Sequence, residues 1–69
     1  LGGSMQVGDL VRVKDLSGYS AYMQGLAGHL GVVTMFQGKH PTVVKVCFAV
    51  VNRIMSVLEE DLEVISENR

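Results

Sequence analysis

The sequence predicts an all-β chain: a small five-stranded barrel with a long first loop and one short helical turn before the last strand. Three observations predict it. Apolar and polar residues alternate with period two in several short stretches, the mark of half-buried strands. Glycine, proline, asparagine and aspartate punctuate those stretches, which is turn chemistry. Helical periodicity is nowhere sustained for about ten residues, so no long helix competes. The organising stretch is residues 25–36, where Gly25, Gly28 and Gly31 are followed at once by Val32, Val33 and Thr34. Glycine serves turns that need positive φ and places where backbones approach closely. The β-branched run that follows favours a strand. A glycine corner therefore feeds a central strand.

The elements follow in order. Gly8 and Asp9 form a turn, and Val11 and Val13 then alternate with Leu10, Arg12 and Lys14 in a first strand. Residues 15–24 break the pattern and form the long loop. That loop holds Tyr19, Tyr22 and Met23, which make a candidate recognition surface, because aromatic and methionine side chains supply contact area with little charge to desolvate. A lid closing one end of the barrel is the structural alternative. The second strand covers residues 30–36, residues 37–41 turn, and the third strand covers residues 42–48. Val44, Val46 and Phe48 share one face of it, Val43, Lys45 and Cys47 the other. Residues 49–51 extend the apolar run, Asn52 and Arg53 turn, and residues 54–57 form the fourth strand. Residues 58–62 make the helical turn and residues 63–65 the fifth strand. The expected core is Val11, Val13, Val33, Val44, Val46, Phe48 and Val64.

The chain has 69 residues. Residues 1–4 read as the remnant of an expression tag before Met5, residues 5–65 as one small domain, and residues 66–69 as a polar tail. A domain of this size is marginal and usually leans on a disulfide, a metal or a partner. Cys47 is the lone cysteine, so no internal disulfide forms, and no Cys/His spacing suggests zinc. No apolar run approaches the ~18 residues of a membrane span, and a soluble, cytoplasmic product without a membrane partner is expected. The hydrophobic fraction is 48%, high for so little interior. Val43, Lys45 and Cys47 therefore form a candidate oligomer face, the lysine stem lying along apolar surface with its head in water. Charge is unevenly spread. Residues 5–53 carry five cations against Asp9 and Asp15, while five acids cluster in residues 59–67. The imbalance is too weak to demand nucleic acid.

Catalytic patterns are absent. His29 and His40 sit in or beside turns with no acid or cysteine at ligand spacing. The glycine run lacks both the Lys-Ser/Thr ending and the following helix of a phosphate loop. No catalytic or metal-binding residue is assigned, and no cofactor is expected. Glu59, Glu60 and Asp61 suit a solvated helical turn. Cys47 has only Lys45 as a charged neighbour and suits an apolar interface better than a reactive thiol.

Several segments have a familiar look. Residues 8–13, GDLVRV, and 28–33, GHLGVV, resemble the glycine and valine pattern of KOW-type barrels. Residues 44–48, VKVCF, with 58–65, LEEDLEVI, are similar to the end of two photosynthetic barrels, the small barrel protein of photosystem I and the variable chain of ferredoxin–thioredoxin reductase. The closing segment also resembles small proteins of tailed phages, including those of marine cyanobacteria. The resemblance spans residues 6–65 and implies an SH3-like barrel without catalysis of its own. Such barrels dock onto larger proteins, and KOW barrels onto RNA or RNA polymerase. The expected function is therefore a protein–protein interaction or assembly module, oligomeric in its own right. A KOW-like module bound to RNA or RNA polymerase is the alternative.

Overall fold

A computed structural model describes residues 5–15, 25–39 and 41–66. Five strands lie in it: β1 (Leu10–Val13), β2 (Leu30–Gln37), β3 (Val43–Phe48), β4 (Arg53–Leu58) and β5 (Leu62–Ser66). They form one antiparallel sheet in the order β4-β3-β2-β1-β5. One 3-10 turn, Glu59–Asp61, precedes β5. The chain is all-β in its described residues, consistent with a small barrel-like fold. Among those residues no helix is long and apolar enough to cross a membrane.

Each connection has a local cause. Asp9 anchors the entry to β1: the Gln6 amide donates to its Oδ2 at 2.9 Å, and its own amide donates to Gln6 O at 3.1 Å. The Gly8 amide donates to Val33 O and the Val33 amide to Asp9 O, so this corner is tied to β2. Asp9 is fully buried there. The glycine corner is a turn closed by His29 N–H donating to Leu26 O at 3.0 Å, with Gly28 at φ +82°. That third position of a type II turn needs positive φ, which glycine adopts without strain. Gly31 is required for a different reason. A Cβ there would lie 2.4 Å from Val46 Cγ1 and 2.9 Å from the Cys47 carbonyl oxygen. The 3-10 turn is held at both ends, by Glu59 N–H on Thr42 O and Lys14 N–H on Asp61 O.

The core is Val11, Val13, Leu26, Val33, Val44, Val46, Phe48, Val57 and Leu62, all nearly or wholly buried. Six of the seven residues expected inside are there. Val64 is the correction, at 37% exposure. It stands opposite Val11 and so shares its face, but β5 is a terminal strand and that end is open among the described residues. Leu62, opposite Val13, fills the place instead. The turn expected at Asn52 and Arg53 falls earlier: residues 49–52 form the β3–β4 turn and Arg53 already belongs to β4, with Val51 N–H donating to Phe48 O and Asn52 N–H to Ala49 O. Asn52 takes the left-handed conformation at φ 53°, which asparagine tolerates better than most residues.

Candidate functional site

The outer face of the sheet carries an apolar row that crosses four strands. Leu10 on β1 faces Val32 on β2, Val32 faces Cys47 on β3, and Cys47 faces Ile54 on β4. Strands lie about 4.8 Å apart, so the row runs roughly 14 Å. Val32 is 42% and Ile54 56% exposed, Cys47 is exposed, and Leu10 is half-buried. Leu30, 46% exposed and opposite Arg12, widens the patch. The opposing faces of the same strands make the core, so the period-two pattern spends its other half on solvent.

A bulge in β2 enlarges this face. The register with β3 shifts between Val33 and Met35, and Thr34 is the extra residue. Its Oγ1 donates to Lys45 O at 2.9 Å. Strict alternation from Val33 would turn Met35 inward. The shift instead sets Met35 opposite Lys45 on the outer face and Phe36 opposite Val44 on the inner one. Both remain exposed.

The three residues of the expected oligomer face lie together on this surface. Val43 pairs with Gln37 and Leu58, Lys45 with Met35 and Ser56, and Cys47 with Val32 and Ile54. Val43 and Lys45 are half-buried and Cys47 is exposed as a free thiol. Tyr19, Tyr22 and Met23, the expected recognition loop, lie outside the described residues.

Charge around the patch is partly committed. The Arg12 guanidinium pairs with Glu63 across β1 and β5, its Nε donating to Oε1 at 2.7 Å. Lys14 Nζ donates to Glu60 O at 2.8 Å. Arg53 and Glu59, by contrast, enter no ion pair among the described residues. Arg53 stands at the rim of an open cleft of about 430 Å³, lined also by Gly25, Leu26, Val51 and Met55. Arg53 and Met55 face Phe48 and Val46, which places them on the inner side of β4. Sequence reasoning did not find this cleft, because it depends on the turn at Leu26 meeting the start of β4.

Among the described residues the sheet has two free edges, and they differ. β4 pairs with β3 through six consecutive residues without a register shift. β5 is shorter, and its pairing with β1 slips between Leu10 and Val11. Compared with protein-family models, curated proteins and solved structures, the chain matches none.

Proposed function

We propose that this chain is a non-catalytic, SH3-like interaction module that docks another protein on the outer face of its sheet. The row Leu10–Val32–Cys47–Ile54 carries the reading. Contiguous exposed apolar surface marks interaction sites more often than scattered apolar residues do. Interface centres are depleted of charge, and Lys45 is the one charged residue of β3 on this side. The RNA-binding alternative has less support. Two of the five cations in residues 5–53 are engaged within the fold, Arg12 by Glu63 and Lys14 by Glu60. Phosphate recognition needs several free ones along a surface.

A photo-crosslinking side chain at Val32 tests the proposal, with the same group at exposed Val7 as the off-face control. In the native cell the Val32 position should yield protein adducts that resist nuclease and disappear when Leu30 is changed to Lys. Nuclease-sensitive adducts, or equal labelling from Val7, would count against it. An RNA titration at two salt concentrations gives a second reading, since phosphate contacts impose a steep salt slope.

A further inference from the structure

An open strand edge presents a row of unpaired N–H and C=O groups that templates pairing with another strand, and proteins usually guard such edges. Short length, bulges, proline and inward or edge charges are the common guards. β5 carries some of them: five residues, a register shift against β1, and Glu63 drawn to Arg12. β4 carries almost none. It is six residues long, RIMSVL, regular along its whole pairing with β3, without glycine, proline or acid, and its only charge is Arg53 at the first position.

The residues of β4 are also complementary to themselves when the strand is reversed. A two-fold axis normal to the sheet keeps outer side chains with outer ones, so the axis must pass through a residue rather than between two. Ile54, Ser56 and Leu58 form the outer set, and Arg53, Met55 and Val57 the inner set. With the axis at Ser56, Ile54 faces Leu58 of the partner subunit and Met55 faces Val57 of the partner subunit. Arg53 then meets Glu59 of the partner subunit, one residue past the strand. With the axis at Met55 the guanidinium would face an apolar valine. With the axis at Val57, Ile54 would face the partner's Glu60. Of these three, the Ser56 register alone matches apolar with apolar and joins two charges that have no ion pair among the described residues.

We propose that β4 pairs antiparallel with β4 of a second copy of this chain in that register, making one ten-stranded sheet. This deepens the reading of the chain as an assembly module by naming one partner, and it joins two outer apolar faces into one surface. Edge pairing covers less than the ~800 Å² per partner of a standard interface, so a micromolar dissociation constant is expected. The ion pairs set register more than affinity, because exposed pairs contribute little.

A charge exchange tests it, read by light scattering and native mass spectrometry from about 1 μM to 1 mM, a range that brackets a micromolar constant. The parent chain should move from monomer to dimer. Arg53→Glu alone and Glu59→Arg alone should each weaken the dimer about tenfold, since each spoils both symmetric pairs. The double variant should restore it to within about threefold of the parent, an energy difference of about 0.65 kcal/mol. Both positions lie outside the core, so folding is kept, and circular dichroism checks that. Leu30→Lys, on the face proposed for the other protein, should leave the dimer intact while abolishing Val32 crosslinks. A monomer throughout the range, a ring or other species larger than a dimer, or single variants that leave the dimer unmoved would overturn the proposal. So would loss of the dimer on Leu30→Lys, which would place the interface on the sheet face. Edge pairing and face docking fail separately: a monomer that still crosslinks another protein at Val32 overturns only the edge pairing, and a dimer without Val32 adducts overturns only the docking.

Discussion

Replacing Gly31 with alanine adds one methyl group at the tightest point of the sheet. The new Cβ would lie 2.4 Å from Val46 Cγ1, 2.9 Å from the Cys47 carbonyl oxygen and 3.0 Å from Phe48 Cδ1. None of these can yield freely. Val46 and Phe48 are fully buried, and the carbonyl belongs to the middle of the sheet. Overpacking of this kind costs about 1–3 kcal/mol. The gain from a less flexible unfolded chain offsets roughly 0.4–1 kcal/mol of it. A Cβ at 2.4 Å puts the cost in the upper half of that range, about 2–3 kcal/mol, so the net loss is about 1–2.6 kcal/mol and the melting temperature falls by roughly 4–20 °C in a domain of this size. Thermal and urea unfolding followed by circular dichroism measure it. Val46→Ala removes the nearest clashing atom but leaves the carbonyl contact, so adding it to Gly31→Ala should recover only part of the loss specific to Gly31. A melting temperature for Gly31→Ala within about 2 °C of the parent would refute the close approach of β2 to β3.

Other consequences follow from burial and register. Phe48→Ala should cost about 3–5 kcal/mol, comparable to the whole stability expected of so small a core, and the variant should lack a cooperative unfolding transition at room temperature. Arg12→Ala should cost no more than about 1 kcal/mol, because its pair with Glu63 is exposed and screened, and the difference from the parent should shrink in high salt in a urea titration. Mild oxidation at concentrations where the dimer forms should give no disulfide-linked species on a non-reducing gel. In the edge pairing, Cys47 and its copy are separated by three strand spacings and by four residues along the strands, roughly 20 Å in all and well beyond the reach of a disulfide.

The fold was legible because its signals are local. Alternation places Val11, Val13, Val44, Val46 and Phe48 correctly, and the turn residues separate the strands within a residue or two of their observed ends. The failures are places where a neighbour distant in sequence decides. Val64 has the period of a core residue, but its strand has no described partner on the far side. Leu26 sits among turn residues and is buried because the corner folds onto the inner face. The bulge at Thr34 is invisible to alternation, since one extra residue reverses every side chain after it. The turn expected at Asn52 and Arg53 begins at Ala49 instead, because the apolar residues 49–51 carry no turn signal of their own. Of the candidate site, Val43, Lys45 and Cys47 were placed on the correct face, while Leu10, Val32 and Ile54, which complete the row, belong to other strands and emerge only from the register.

The same register accounts for the composition. A sheet of five short strands has one inner face, and nine residues fill it. The hydrophobic residues left over cannot be buried by a chain this short. They are not scattered evenly. Val32, Cys47 and Ile54 line up across neighbouring strands, and Ile54 and Leu58 fall on the outer side of β4, whose edge is open among the described residues. Lys45 is the one charged residue of β3 on this face, and the residues opposite it, Met35 and Ser56, carry no charge. Three acids follow β4, Glu59, Glu60 and Asp61, and in the proposed pairing Glu59 would face Arg53 of a reversed copy. The proposed pairing through β4 would use both features, the surplus of apolar residues on the outer face and the acids that follow the strand.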